Sequence, residues 1–289
     1  MVNSVLECKT FRTFHVEQFR SAGILDSVFE VNCILEQITG MPWHSIREIS
    51  PEQRREINSM AQRRLSGEPL QYIFGEWEFY GMKCFVGKGV LIPRPETECL
   101  IDLVLQKFPK SEYSEKLNIL DLCTGSGCVA LALKKMFPDA EVIGIDCSPE
   151  ALAYAEKNKN YHKLDVQFIQ GDVLDAAFVE NFTANYFNLF DLIVSNPPYL
   201  TSQEMRTLQT EVSHEPAMAL YGGLDGLNFY RKITEIWKTA LKFHGMLIYE
   251  IGEQQGAAVS EILTSQNFRN VQVTQDLAHH DRIVSGNKI

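Results

Sequence analysis

At 289 residues, 45% hydrophobic and 22% charged, the chain has the size and make-up of a globular protein with one large α/β domain and a smaller companion. A net charge of −10 and a pI near 5.3 exclude a general nucleic-acid-binding surface, which needs clustered Lys and Arg. Seven cysteines, an odd number with no C-x-x-C pair, argue against a disulfide framework or a zinc site and for a reducing compartment. The N-terminal stretch carries acids and lacks an apolar signal core, and no run is long enough to cross a bilayer.

The first 70 or so residues read as helices. "DSVFEVNCILEQITG" (26–40) spaces Val28, Val31, Ile34, Leu35 and Ile38 by threes and fours, with Gly40 as a stop. "SPEQRREINSMAQRRLSG" (50–67) offers Ser50 as N-cap and Pro51 at the first helical position, and its stretch 54–64 is either a local basic patch or, as the glutamate within it and its helical spacing favour, a solvated face. "EWEFYGMKCFVGKGVLIPRPET" (76–97) is aromatic and alternating, with glycines at 81, 87 and 89. It predicts a β-hairpin linking a helical domain (1–75) to the remainder (98–289).

From residue 116 strands alternate with helices. Apolar strand runs fall at 117–123, 140–147, 166–173, 190–195 and 245–252, and helical stretches at 127–137, 148–160, 227–243 and 254–266. The end, 270–286, reads as two short β-runs. Seven strands of this kind predict a mostly parallel, doubly wound sheet with its ligand at the carboxyl ends of the strands.

"DLCTGSG" (121–127) follows the first of these strands and opens a helix, where Gly125 and Gly127 let the backbone approach a ligand. Asp146 ends the second strand, 21 residues after Gly125, where an acid can accept hydrogen bonds from both hydroxyls of a ribose. Asp172, read as closing the third strand, is a candidate acceptor for an adenine amino group or a simple turn cap, with Val173 as an apolar wall. Because residues 125–130 also satisfy G-x-G-x-x-A, a nicotinamide dinucleotide is a competing ligand.

"NPPY" (196–199) follows the fourth strand, so Asn196 stands on the same rim as Asp146. Pro197 and Pro198 stiffen the loop and remove N–H donors. The Asn196 side chain and the Pro197 carbonyl then offer two rigid acceptors for the two hydrogens of a planar NH₂ group, and Tyr199 can stack on the plane that carries it. Aiming a delocalised nitrogen at an electrophile, such as a methyl sulfonium, is catalysis by positioning.

These motifs resemble the S-adenosylmethionine-dependent amino methyltransferases, a resemblance that NPPY shares between adenine-N6 DNA methyltransferases and glutamine methyltransferases. Residues 63–98, "HEPAMALYGGLDGLNFYRKI" (214–233), "YEIGEQQ" (249–255) and "DLAHHDRIVSG" (276–286) resemble the HemK/PrmC family, the peptide chain release factor glutamine N5-methyltransferases. The resemblance runs from about residue 60 to the end. It implies that Cys123, Thr124, Gly125, Ser126, Gly127, Asp146, Asp172, Val173 and Asn196 bind S-adenosylmethionine. It implies also that Asn196, Pro197, Pro198 and Tyr199 hold the glutamine of a Gly-Gly-Gln loop in a class I release factor, Asn196, Pro197 and Tyr199 acting in catalysis. The N-terminal helices would dock the release factor body and "IPRPETE" (92–98) would border the site. No metal, membrane or direct nucleic-acid substrate is expected, and the bacterial cytoplasm, or else an organellar matrix, is the expected place of action.

Two departures stand out. The family usually carries glycine where this chain has Cys123, which implies either a backbone needing less freedom or a side chain crowding the methionine end of the cofactor. A glycine is also common before Asp281, where this chain has His280 after His279, a pair that reads as surface. The competing activities are methylation of DNA adenine or of a ribosomal-protein glutamine, a nicotinamide oxidoreductase, and a silent binding module. Acidity and the lack of a target-recognition insertion weigh against DNA, and NPPY has no role in hydride transfer.

Overall fold

The computed structural model describes residues 2–109 and 116–289, which divide into two units: Met1–Gly75 with Gln209–His214, and Glu76–Leu208 with Glu215–Ile289. In the first, helices α1 (Val2–Ser21), α2 (Ser27–Thr39), α3 (Pro51–Leu65) and α4 (Leu70–Phe74) bury Phe19, Val31, Ile34, Leu35, Ile57 and Ala61. Helix α3 starts on a complete capping box: the Gln53 amide donates to Ser50 Oγ at 3.2 Å, and Gln53 Oε1 accepts from the Ser50 amide at 3.0 Å. Helix α2 stops at Gly40 in the left-handed conformation.

Two readings of this unit are corrected. Val28 is 44% exposed, because Ser27, one turn before Val31, takes the core-facing position and donates its hydroxyl to the Ile24 carbonyl. Stretch 54–64 is not wholly solvated either. Arg64 is buried and pairs with Glu30 (2.5 Å) and Glu211, since a guanidinium can leave water only when its donors are met.

The second unit opens with β1 (Glu76–Phe79) and β2 (Met82–Phe85), antiparallel and joined by Tyr80-Gly81, both at positive φ as a type I′ turn requires. Pairing ends at Phe85, short of the stretch 76–97; beyond it Val86, Val90 and Ile92 are buried from irregular chain. The hairpin docks through Asn158, whose Oδ1 accepts from the Phe85 amide at 2.6 Å while its Nδ2 donates to the carbonyls of Phe85 and Ser126.

The remaining elements are α5 (Glu98–Lys107), β3 (Asn118–Leu122), α6 (Cys128–Met136), β4 (Glu141–Asp146), α7 (Pro149–His162), β5 (Gln167–Gln170), α8 (Ala176–Asn185), β6 (Phe190–Ser195), α9 (Asn228–Trp237), β7 (Leu241–Glu250), α10 (Gly256–Ser265), β8 (Phe268–Gln275) and β9 (Asp281–Lys288). The seven-stranded sheet runs β5-β4-β3-β6-β7-β9-β8, parallel except for β9, which is antiparallel to both its neighbours. It is the mostly parallel doubly wound sheet expected. Strand alternation splits the core: Ile119, Val142, Leu192, Val194 and Ile248 pack with α5 and α6 on one face. Leu120, Ile143, Ile193, Leu247 and Tyr249 pack with α8, α9 and α10 on the other.

Two boundaries and one helix differ from the sequence reading. Helix α9 ends at Trp237 rather than 243, because Leu241 already pairs with Phe190 in the sheet. Strand β5 ends at Gln170, so Asp172 lies in the following turn rather than on the strand. Helix α8 was not foreseen.

Gly127 caps α6 at φ 76°, where an added Cβ would meet Phe168 Cζ at 2.7 Å and Ala155 Cβ at 3.1 Å. Gly127→Ala combines a left-handed strain with overpacking, and a loss of about 1–3 kcal/mol is expected in urea unfolding. An unchanged midpoint would contradict it.

Candidate active site

Parallel neighbours on both sides of β3 place a crevice where the chain order reverses, between β4 and β6. A cavity opens there at the carboxyl ends of the strands. Asp121 reaches it from β3 and residues 123–126 from the loop after it, Asp146 from the end of β4 and Ser148 just beyond, residues 171–174 after β5, and Asn196 and Pro198 after β6. Residues 89–91, Pro93, Arg94 and Thr97 close one side, and Pro216, Met218, Ala219 and Phe229 another.

The Asp146 carboxylate knots the first two of these loops. Oδ2 accepts from the Gly125 amide at 2.8 Å and Oδ1 from the Ser148 amide at 2.9 Å. Burial pushes its pKa up, and these amide bonds pull back by favouring the charged form. Asp121 lies deeper: its Oδ2 accepts from Thr124 Oγ1 at 2.6 Å and from the Ala130 amide at 3.2 Å. Burial dominates there, and its pKa is pushed up to about 7.

Gly125 and Gly127 have different tasks. An added Cβ on Gly125 would meet nothing within 4 Å, so the backbone faces open cavity. Gly127 does not line the cavity and serves packing against Phe168. Cys123 keeps φ at 61°, so the residue that replaces the usual glycine has not relaxed the backbone, and an L side chain there carries strain. Its thiol is on the cavity wall, and burial pushes its pKa far up.

Asn196 donates from Nδ2 to Thr97 Oγ1 at 3.2 Å. Among the described residues no donor reaches Asn196 Oδ1 or the Pro197 carbonyl. The prolines are buried, and the segment "YGG" at 221–223 lies hard against them through an isolated bridge to Leu200: the Leu200 amide donates to the Leu220 carbonyl and the Gly222 amide to the Leu200 carbonyl, both at 2.8 Å. A Cβ on Gly222 would stand 2.6 Å from Tyr199 Cα and 2.7 Å from the Pro198 carbonyl, so only glycine allows the approach. Glu215 accepts from Arg94 Nη2 (2.5 Å) and from the Ile92 amide (2.9 Å), tying the stretch 92–98 to the start of this segment.

Of the residues read from the sequence, Cys123, Thr124, Gly125, Ser126, Asp146, Asp172, Val173, Asn196 and Pro198 come together on the cavity wall. Gly127, Pro197 and Tyr199 do not line it. Asp172 is exposed, and its Oδ1 accepts from the Leu174 amide at 2.8 Å, the turn-capping alternative. Sequence reasoning missed Asp121, Ser148, Thr97, Met218 and Phe229. Asp121 stood inside a quoted motif, as a lone acid on an apolar strand; Thr97 lies in the stretch 92–98 expected to border the site, and Met218 and Phe229 in the quoted stretch 214–233, but nothing local singled them out. His280 pairs with Glu253 on the surface, and among the described residues no group of three or more His, Cys, Asp or Glu could hold a metal ion. Nor is any helix there long and apolar enough to cross a membrane.

Residues 113–281 match the methyltransferase domain model and residues 13–75 the PrmC N-terminal domain model. The chain is 45% identical over 239 residues to the release factor glutamine methyltransferase of Thermodesulfovibrio yellowstonii, covering 82% of each. The chain belongs to the release factor glutamine methyltransferase family. The member from Flavobacterium psychrophilum is 35% identical over 283 residues, covering 97% of this chain and 92% of that one. A methyltransferase from Pyrococcus furiosus shares the fold at 15% identity (TM-score 0.52; 83% of this chain, 99% of that one). The fold expected from this family, and its methyltransferase class of activity, are thereby carried by the chain, which excludes the oxidoreductase and silent-module readings.

Asp121 sets a pH dependence of stability. Its folded pKa, near 7, lies above its ordinary 3.8. The unfolded chain therefore gives up its proton first as pH rises, and stability falls between those two values. Asp121→Asn is expected to flatten that decline in urea unfolding; a slope equal to the parent's would show that Asp121 is ionised when folded.

Proposed function

We propose that the protein transfers a methyl group from S-adenosylmethionine to the side-chain amide nitrogen (N5) of the glutamine in the Gly-Gly-Gln loop of a class I peptide chain release factor, in the bacterial cytoplasm. The observation that carries the site assignment is the pair of unengaged acceptors, Asn196 Oδ1 and the Pro197 carbonyl, on a loop stiffened by two prolines beside the cavity.

The cavity wall fits the cofactor. Gly125 leaves room for a ligand against the backbone, Asp146 is oriented by two amides with lone pairs to spare for ribose hydroxyls, and buried Val173 offers an apolar surface to an adenine ring. Residues 123–126 would flank the methionine portion and Asp172 Oδ2 would take the adenine amino group, Oδ1 being used in its turn. Gly127 supports this wall from behind. When bound, S-adenosylmethionine supplies a methyl group on a sulfonium whose positive charge disappears on transfer.

The chain's own residues deal with the nucleophile. An amide nitrogen is a poor nucleophile because its lone pair is delocalised into the carbonyl. Asn196 Oδ1 and the Pro197 carbonyl accept its two hydrogens, which raises electron density on nitrogen and fixes its direction. Because the prolines supply no N–H, nothing in the loop competes for these acceptors. Tyr199, off the cavity wall, anchors the loop through its carbonyl, which accepts from Gln255 Nε2 at 3.0 Å; its ring is the stacking surface for the entering glutamine amide. Residues 1–75 would receive the body of the release factor.

Labelled S-adenosylmethionine incubated with a purified release factor and with DNA is expected to label the Gly-Gly-Gln glutamine alone; label in DNA would overturn the reading. Asn196→Ala should cut turnover by about 10²–10³-fold, as removal of a preorganised polar partner does, while calorimetry finds cofactor affinity nearly intact. Asp146→Ala should weaken cofactor binding about tenfold or more, and an unchanged dissociation constant would remove Asp146 from the ribose site.

A further inference from the structure

Arg64 holds one carboxylate more than its charge calls for. It is buried in α3, and Glu30 alone meets it twice, accepting from Nε at 2.5 Å and from Nη2 at 3.1 Å. That two-pronged pair already neutralises the guanidinium. Glu211 accepts from Nη2 as well, although a second anion leaves the cluster negative in a chain that already carries −10. Three residues on, Gly67 stands at φ 96°, and a Cβ there would lie 2.6 Å from Thr210 Cγ2 and 3.3 Å from His214 Nε2. A surplus carboxylate and a missing side chain thus serve one end: segment 209–214 is drawn onto the helical unit.

That segment is an excursion from the wall of the cavity, since Leu208 before it and Glu215 after it both belong to the other unit. Toward its amino end the chain has slack, with eight residues between Leu200 and Gln209. Toward its carboxyl end it has none. The His214 amide donates to the Glu211 carbonyl at 3.1 Å, and Glu215 follows directly, its Cα only about 3.8 Å further on. Glu215 is the buried anion that takes the Ile92 amide and Arg94. A single 3₁₀ turn, Ala217–Ala219, comes next, with the Ala219 amide donating to the Pro216 carbonyl and the Tyr221 amide to the Ala217 carbonyl, both at 2.9 Å. It delivers Leu220 and Gly222, whose backbones hydrogen-bond Leu200, and Gly222 lies against Tyr199. Each step from Arg64 to the NPPY loop is an ion pair, a hydrogen bond, a close contact or a short run of chain.

We propose that Glu211, held by Arg64, is a positioning residue: it straps segment 209–214 to the helical unit and, through Glu215 and Gly222, keeps the acceptor loop Asn196–Tyr199 in place. The inference rests on the reading of that loop as the holder of the acceptor glutamine. Neither Arg64 nor Glu211 is catalytic. The helical unit then has a second task besides receiving the release factor, and the two tasks separate kinetically. An ion pair that only supported docking would set KM for the release factor. A strap that aligns the acceptor loop sets kcat, because alignment is still needed when every site is filled.

The test compares the full-length parent with Glu211→Ala, Glu211→Gln and Gly67→Ala. Labelled S-adenosylmethionine and a purified release factor give kcat and KM, calorimetry gives cofactor affinity, and hydrogen exchange reads the Leu200 and Gly222 amides. In Glu211→Ala kcat should fall about tenfold, short of the roughly 10²-fold that a misplacement of about 1 Å costs. Cofactor affinity and thermal midpoint should stay close to the parent's, because Arg64 keeps Glu30. The Leu200 and Gly222 amides should exchange faster while those inside β6 keep their rates. Glu211→Gln, which retains an oxygen for Arg64 Nη2, should recover most of the rate. Gly67→Ala, whose methyl displaces Thr210 and leaves the ion pair intact, should act in the same direction as Glu211→Ala and decides the matter if that variant does not fold. A parent-like kcat with raised KM, unchanged exchange at Leu200 and Gly222, or a glutamine variant as slow as the alanine one would each overturn the strap and leave the proposed function standing. A parent that labels no release factor would overturn the functional reading, and with it the strap's role in alignment.

Discussion

The two hydrogen bonds that the Asp146 carboxylate accepts from the backbone amides of Gly125 and Ser148 organise the rest of the cavity. Each amide begins a different βα connection, one after β3 and one after β4. A single side chain thus sets the spacing of two loops that have no contact in sequence. The carboxylate is held partly out of water, which raises its pKa, and the amides compensate by favouring its charged form. Lone pairs remain on both oxygens, so the group that shapes the cavity is also ready to receive hydroxyl donors. Asp121 does the same inside the loop, holding Thr124 and the first turn of α6.

The opposite wall depends on close backbone contact. Pro197 and Pro198 make a stiff loop, but stiffness alone does not place it. Residues 220–222 bridge to Leu200, and Gly222 lets that segment lie against Tyr199 and Pro198 at a distance no other residue permits. Glu215 then binds Arg94 and the Ile92 amide, so the stretch before α5 and the segment after the NPPY loop share one buried anion. The acceptor pair therefore stands on a floor built from three separated parts of the chain. That is how two small acceptors can be held still enough to align a weak nucleophile.

Legibility followed the range of the interactions. Strand β6 runs over the stretch 190–195 read from its apolar run, and the capping box at Ser50 follows from neighbours three residues apart. Boundaries slipped where a sheet partner intervened: Leu241 left its helical pattern to pair with Phe190, and β5 stopped before Asp172. Gly127 shows the limit of motif reading. Its spacing is that of a ligand-binding glycine, yet the ring of Phe168, 41 residues on, accounts for it. Cys123 shows another: its identity left open a backbone needing less freedom or a side chain crowding the cofactor, and only the fold shows that it keeps a positive φ while lining the cavity.

What the sequence by itself determined was the class of the molecule: the doubly wound sheet, the rim on which Asp146 and Asn196 both stand, and the family to which the motifs belong. Periodicity and short motifs encode these because strands, caps and tight turns are local. Only the tertiary structure decided which residues face the cavity, that Thr97 lies against Asn196, and that Arg64 is buried with Glu30 and Glu211. Those facts depend on segments from 30 to well over 100 residues apart being brought together, and on burial that changes what a carboxyl, a hydroxyl or a guanidinium must do. Neither quantity is written in any one stretch of the chain, because each arises from the packing of strands whose order in space is not their order in sequence.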